Sequence, residues 1–283
     1  MNILIADSGG TKTDWVFIDS VNPHYFKSGG LHPAFNSTDE ISSEIKKSVT
    51  IESGKIDQIF FYGAGCHGDL PAEKIKVAIT RIFPDCEINV FDDLTGAARA
   101  HLQQTDGIIA ALGTGSICGR YKNGLITNRS AALGYAIGDE GSAVDLGKSV
   151  IRAYFRNELD EETHQAVEKK LGTSDYSYWM NRIYGSDQPN RVLAAVAGEL
   201  FSGNLTLQLS SILTNCFERF MDTQLTSLTP FPDEQIVFTG TVANAHSKII
   251  LLLLKKKDFK KCSVKAGLIK GLARYHKQEN TER

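Results

Sequence analysis

The sequence predicts an α/β protein with a duplicated domain, each copy built on a mixed sheet. Three observations lead there. Residues 4–18 read as an apolar strand, a Gly-rich turn and a second apolar strand, and residues 107–121 repeat that order. The segment between them alternates helix with strand, the pattern of an α/β sheet.

Taken in order, Leu4 to Asp7 form a buried strand ending on a carboxylate, Gly9, Gly10 and Thr11 a tight turn, and Trp15 to Ile18 a second strand. The run after the turn has neither a cap nor helical spacing, so the turn joins two strands in a hairpin. A dinucleotide fold or a P-loop needs its glycines to open a helix. Here the glycines and the Thr11 and Thr13 hydroxyls sit on a hairpin tip, whose backbone N–H groups can still cradle phosphate oxygens.

Tyr25 and Phe26 close a third strand, and residues 29–36 form a Gly/Pro loop. Ser37 and Glu40 have capping-box spacing, which predicts a helix from Thr38 to Val49. Residues 59–65 are a strand running into a glycine turn, 71–82 a helix with Pro71 in its first turn, and 87–93 a strand ending on Asp92 and Asp93. A small-residue helix follows at 94–102. After the second hairpin, Gly138 to Ser142 read as a loop carrying two carboxylates into a helix that ends near Tyr154. Within it, GSAVDLGKS mimics a P-loop, but the spacing from Gly141 to Gly147 is one residue too long and no strand leads in. The aromatic cluster Tyr176, Tyr178 and Trp179 reads as core. Residues 202–228 read as one helix ended by Pro230 and Pro232, 234–239 as a strand into a third Gly/Thr turn with a helix behind it, 255–261 as a solvated basic face, and 266–277 as the last helix.

At 283 residues, 42% hydrophobic and 23% charged, the chain is long enough for two cores. A formal net charge of −2 gives no general attraction to nucleic acid or an anionic membrane, so a small-molecule partner is expected. The five cysteines are odd in number, scattered and without a C-x-x-C pair, which argues against a disulfide framework or a zinc site. No apolar run reaches membrane-spanning length, so the expected location is cytoplasmic.

DSGGTKTDW (7–15), GAGC (63–66), DDLTGAARA (92–100), LGTGS (112–116), LGYAIGDEGSA (133–143), TGTVA (239–243) and AGLIKGLARY (266–275) occur in one order over nearly the whole chain. In that order they resemble the sugar-kinase, heat-shock-protein and actin superfamily, and within it the N-acetylglucosamine kinases grouped with BadF/BadG/BcrA/BcrD-type ATPases. The resemblance implies two ribonuclease-H-like, actin-like ATPase domains around an interdomain cleft: residues 1–105 completed by 266–283, and residues 106–265. It further implies transfer of phosphate from ATP, with Mg2+ as cofactor, to a hydroxyl (O6) of an amino sugar, N-acetylglucosamine first, with a homodimer as one arrangement open to such kinases.

Roles follow from the matching motifs. The resemblance assigns Asp7 to the metal and Gly9, Gly10, Thr11, Lys12 and Thr13 to the ATP phosphates, with Gly113, Thr114, Gly115 and Ser116 as a second phosphate turn. It assigns Gly240, Thr241 and Ala243 to adenosine, and Asn36, Gly65, Asp93 and Asp139 to the sugar. Asp93 corresponds to the general base, with Asp92 as the competing assignment and the better candidate for a turn carboxylate. Two positions depart from the family pattern: Ile117 and His32 stand where amide side chains are usual, which removes hydrogen-bonding partners from the sugar side. Glucosamine and N-acetylmuramic acid therefore stay among the candidate acceptors. Two other readings use the same fold: a sugar- or nucleotide-binding protein without turnover, and an ATPase activator of a dehydratase, for which the cysteines show no compact cluster-ligand pattern.

Overall fold

The computed structural model describes residues 2–19 and 22–281, and the side chains of all but the last three of these. In chain order the elements are β1 (Ile3–Ser8), β2 (Lys12–Ile18), β3 (Pro23–Gly29), α1 (Thr38–Ser48), β4 (Gln58–Gly63), α2 (Asp69–Thr80), β5 (Glu87–Asp92) and α3 (Asp93–Leu102). There follow β6 (Gly107–Leu112), β7 (Ser116–Lys122), β8 (Leu125–Arg129), α4 (Gly134–Ile137), α5 (Ala143–Phe155), α6 (Glu161–Leu171), α7 (Tyr176–Tyr184), α8 (Pro189–Leu200) and α9 (Leu207–Phe220). The chain ends with β9 (Gln235–Thr239), α10 (Thr241–Ala245), α11 (Ser247–Lys256), β10 (Lys261–Val264) and α12 (Leu268–Thr281). The backbone divides into two units: Met1–Asp106, Tyr121–Ile126 and Gly267–Arg283 make the first, Gly107–Arg120 and Thr127–Ala266 the second.

The first unit holds a five-stranded sheet in the order β3-β2-β1-β4-β5. β2 runs antiparallel to β1 and β3, while β4 and β5 continue parallel to β1. The period-2 geometry of a strand explains why β1 is apolar at every position. Leu4 and Ala6 join a core with Ile41, Ile45, Ile75 and Ile79 of α1 and α2; Ile3 and Ile5 point the other way, into a core with Leu272 and Ala273 of α12. Trp15 and Phe17 against Val16 and Ile18 repeat that division on β2. Truncating one of these side chains to alanine removes about 2–5 kcal/mol. The Ser37–Glu40 capping box is fully formed, with Glu40 N donating to Ser37 Oγ and Ser37 N to Glu40 Oε2.

The second unit holds another five-stranded sheet, β10-β9-β6-β7-β8, whose β9 runs parallel to both β6 and β10. One core gathers Ile108, Ala110 and Leu112 of β6 with residues of α5, α6, α7, α8, α9 and α11. Two strands lie outside the sequence-based expectations. β8 forms after the Asn123-Gly124 pair, both at positive φ, a turn signal that predicts a hairpin; β10 is four residues of the basic segment and the residues after it, pairing parallel on β9. The expected helix at 202–228 starts later, at the Thr206 cap, and passes through a π-helical segment at Met221–Leu225. Trp179 is core at 1% exposure, but Tyr176 and Tyr178 of the same cluster are exposed. Among the described residues no helix is long and apolar enough to cross a membrane.

Candidate active site

In the first unit the parallel strands β1, β4 and β5 end in one row: Ser8 pairs with Gly63, and Gly63 with Asp92. The carboxyl end of a parallel sheet is where α/β folds bind ligands. Asp7 sits one residue back from that row. Burial pushes its carboxyl up to about 7, with repulsion from Asp14 and Asp93 adding to the shift and Lys12 opposing it. Asp7 and Asp93 therefore sense one another's charge, although they come from different strand ends.

The turn after Asp7 closes with Gly9 N donating to Lys12 O at 2.9 Å. Gly30 presses on it from the loop after β3: a Cβ on Gly30 would lie 2.4 Å from Gly10 C and 2.5 Å from Thr11 N. Thr13, expected to offer its hydroxyl on the hairpin tip, is instead buried; its Oγ1 donates to Gly29 O (2.9 Å) and hydrogen-bonds Ser8 Oγ (2.8 Å). Its position two residues into β2 turns it inward, so of the groups expected at the phosphates the turn's backbone and Thr11 remain on the hairpin tip. Lys12 extends outward and pairs with Asp14 at 3.3 Å.

Asp92 and Asp93 differ sharply in their surroundings. Asp92 is the N-cap of α3, accepting from Thr95 N (2.9 Å) and Thr95 Oγ1 (3.2 Å), and its second oxygen is 4.0 Å from His67 Nδ1. Asp93 is the first helical residue, and its Oδ1 accepts from Leu94 N at 3.0 Å. Beside them, burial and then the charges of Asp93 and Asp92 push the Cys66 thiol up to about 12, which leaves it protonated and unreactive. The 29–36 loop folds over this end of the sheet. His32 N donates to Asn36 Oδ1 (3.0 Å), His32 Nδ1 accepts from Ala34 N (3.2 Å), and Phe35 packs on the imidazole with ring centroids 4.5 Å apart. The same imidazole occupies the space a side chain at Gly65 would need, where φ is +75°. His32 thus covers Gly65, and one Asn36 oxygen is spent on holding the loop.

In the second unit the corresponding turn, Gly113 to Ser116, is held from below. Ala143 N and Val144 N, the first amides of α5, donate to Gly113 O and Thr114 O. This accounts for GSAVDLGKS not being a phosphate loop: its helix-start donors are already used. Ser116 N donates to Asp139 Oδ1 (3.2 Å), and Ser116 Oγ donates to Glu140 O (2.7 Å) while accepting from Gln224 Nε2 (2.9 Å). Ser116, expected on the phosphates, is thereby buried and committed, and Asp139, expected on the sugar, braces the turn from a strained φ of +62°. Burial raises the Asp139 carboxyl above its ordinary range, with the Ser116 amide opposing. Gln224 was not among the expected residues; it comes from the π-helical segment, which a propensity reading does not reveal.

Gly240, at φ +102°, lets the third turn approach β6, since a Cβ there would lie 2.3 Å from Leu112 O. A cavity of about 330 Å3 opens beside Thr241 and Thr114, floored by Leu146, Ala197 and Val242 and closed by Phe201 and His246. Burial keeps His246 neutral by lowering its pKa. Ala243, expected at adenosine, is fully buried in the core instead. The α8 wall escaped sequence reading, although Ala194, Ala197 and Gly198 have the i, i+3, i+4 spacing of one helical face. The described residues include no group of three or more His, Cys, Asp or Glu side chains placed to hold a metal ion.

Comparison with known proteins bears on the fold as a whole. No family model matches the chain. A solved structure from Porphyromonas gingivalis, provisionally assigned as an N-acetylglucosamine kinase, superposes with a TM-score of 0.90 at 29% identity, over 98% of this chain and 99% of that one. Other solved structures with this fold include a Thermus thermophilus hexokinase, at a TM-score of 0.54 and 12% identity, and a dehydratase component from Acidaminococcus fermentans, at 0.51 and 12%. A second provisionally assigned N-acetylglucosamine kinase, from Chromobacterium violaceum, has the same fold, with a TM-score of 0.76 at 18% identity over 97% and 98% of the two chains. Among curated proteins, an N-acetylmuramic acid/N-acetylglucosamine kinase of Clostridium acetobutylicum is 42% identical over 72 residues, 25% of this chain. That match spans 23% of the curated relative's length. The expected architecture, two actin-like ATPase domains on mixed five-stranded sheets, is the one found.

Proposed function

We propose that the protein is an ATP-dependent kinase that phosphorylates a hydroxyl of an amino sugar, N-acetylglucosamine or a close relative such as N-acetylmuramic acid, at O6. The observation that carries this reading is the division of labour between two adjacent carboxylates. Asp92 is tied down as a helix cap, while Asp93 stands beside it at the strand end, within electrostatic reach of Asp7. The whole-chain likeness to the Porphyromonas gingivalis protein supports the substrate class.

A sugar hydroxyl is a poor nucleophile, so phosphoryl transfer needs a group to take its proton. In this reading Asp93 accepts that proton as the sugar oxygen bonds the γ-phosphorus, and the bond from that phosphorus to the β,γ-bridging oxygen breaks to leave ADP. The Gly9 to Thr11 turn and the Gly113 to Gly115 turn orient phosphates through backbone donors, and the 330 Å3 cavity at Thr241 and His246 takes the base. Asp7 fits a magnesium ion: its carboxyl is forced up by burial and by two neighbouring carboxylates, a setting that favours a cation. With one carboxylate rather than a cage, the ion would be held jointly with nucleotide phosphates, as magnesium commonly is. When bound, it neutralises charge on the transferring phosphate.

The test is ADP release by the purified protein with ATP and magnesium over a panel of hexosamines, followed by phosphorus NMR of the product. Turnover of N-acetylglucosamine or N-acetylmuramic acid with a phosphate ester at C6 is expected. Release no faster than without sugar, across the whole panel, would sink the kinase reading.

A further inference from the structure

A cavity of about 920 Å3 in the second unit is separate from the one at Thr241. It lies between α4, α5, α7 and α8. Although α5 and α8 wall both cavities, Ile151 and Leu193 face this one, whereas Leu146 and Ala197 face the one at Thr241. Its floor is apolar, from Ile151, Phe155, Met180 and Ile183, and its rim is aromatic, from Tyr135, Tyr176 and Tyr184. Two of these tyrosines are unusually open to water for their size, Tyr176 at 60% and Tyr184 at 82% exposure. An exposed apolar patch of this kind inside a concavity marks a binding surface more often than a bare surface does.

Its charge points to the sign of the ligand. Lys148, Arg152 and Arg156 recur every four residues along α5, one helical face, and the lining offers a single carboxylate, Asp187. Favourable placement at a helix C-terminus accounts for arginines in the last turn, but not for Lys148, nor for aromatic side chains gathered in front of all three. Lys148 Nζ already donates to Tyr135 O (2.7 Å) and Gly138 O (3.4 Å), and Arg156 has Glu158 at 4.0 Å. The Arg152 side chain has no hydrogen-bond or ion-pair partner among the described residues and lines the cavity. A guanidinium beside aromatic rings is suited to a carboxylate or phosphate on a flat body, since it bonds the anion in a fork while the rings take the body.

We propose that this cavity is a second ligand site, distinct from the one at Thr241, for a small organic anion with a flat, apolar-faced body and a phosphate or carboxylate head held by Arg152. The proposal stands whether or not the kinase reading does, and it is read by binding alone. The probe is 8-anilinonaphthalene-1-sulfonate, an aromatic anion, titrated by fluorescence into the full-length chain, the Arg152→Glu variant and the Tyr176→Ser variant. Both substituted positions are exposed, so the melting temperature should hold in each. Saturable binding is expected, weakened about tenfold or more by Arg152→Glu and measurably by Tyr176→Ser. Of two competitors at millimolar concentration, N-acetylglucosamine 6-phosphate and phenylacetate, displacement by the first identifies a sugar phosphate as the occupant and displacement by the second an aryl acid. Dye binding unchanged by both substitutions, or displaced by neither competitor, would overturn the site.

Discussion

Tyr62 and His276, 214 residues apart in the chain, share a 2.8 Å hydrogen bond inside the first unit, between Tyr62 Oη and His276 Nε2. Arg99 Nη1 donates to the same phenol oxygen at 3.0 Å, so the phenol hydrogen is left for His276, which accepts as a neutral imidazole. Burial, with the Arg99 charge second, lowers the His276 pKa to about 3. This triangle joins α12 to β4 and to α3, the helix that Asp93 begins.

The first prediction is an acid-labile lock. The folded value lies below the ordinary 6.5, so the stabilisation from neutral His276 is complete above that pH and is lost as pH falls from about 6.5 toward 3. At pH 5 the loss from this one group is about 2 kcal/mol. His276→Gln keeps a hydrogen-bonding group without a titrating one, so its melting temperature should fall less between pH 7 and pH 5 than that of the unaltered protein. Equal slopes would exclude His276 as the cause.

Asp7 has the opposite sign. Its folded pKa is raised to about 7, so the stability that goes with the protonated form is complete below the ordinary 3.8 and lost as pH rises through about 7. An ionised Asp7 at pH 8 is therefore a cost to the ligand-free protein, on the order of a few kcal/mol. Asp7→Asn should raise the melting temperature at pH 8, have little effect near pH 4, and weaken binding of magnesium–ATP measured by calorimetry. A variant that is no more stable at pH 8 would show that burial and the neighbouring carboxylates do not penalise an ionised Asp7.

Asp92 and Asp93 should part company under substitution. Asp93→Asn keeps the size and removes the proton acceptor, and general-base catalysis contributes about 10²–10⁴-fold, so kcat should drop in that range with nucleotide affinity and folding retained. Asp92→Ala should act on stability instead, losing about 1 kcal/mol with the cap on Thr95 N, while Asp92→Asn, which can still cap, loses less. Kinetics and urea melts on the three variants decide this. If Asp92→Asn abolishes turnover and Asp93→Asn leaves it, the base is Asp92.

What the sequence carried well was local. Hairpin turns, the Ser37–Glu40 box and the pair of carboxylates closing β5 all depend on neighbours within a few residues. What escaped depends on tertiary pairing. Whether Thr13 and Ser116 offer hydroxyls to a ligand or turn them inward is set by strand register, and both turn inward. The Tyr62–Arg99–His276 triangle joins three segments with no shared local pattern, and Gln224 reaches Ser116 only because α9 continues into a π-helical turn. β10, at four residues, is too short to stand out before β9 is there to pair with it.

The last prediction concerns Gly30, the residue that presses on the Gly9 to Thr11 turn. A methyl group there would meet Gly10 C at 2.4 Å and Thr11 N at 2.5 Å, both backbone atoms, so no side-chain rotation relieves the clash and the turn itself must move. The displaced groups are the donors expected on phosphate, whereas the cores on the two faces of β1 lie along the strand and away from the tip. Gly30→Ala should therefore lower ATP affinity by about tenfold or more, with a smaller effect on global unfolding, because aligned donors lose strength steeply when tilted. Gly54→Ala is the matched control: it adds the same methyl group in the same unit and meets nothing within 4 Å. Calorimetric titration with magnesium–ATP, paired with a thermal melt of each variant, reads both quantities. Normal affinity in Gly30→Ala would mean that the Gly9 to Thr11 turn does not hold the nucleotide, and an equal loss in Gly54→Ala would mean that the effect is not local.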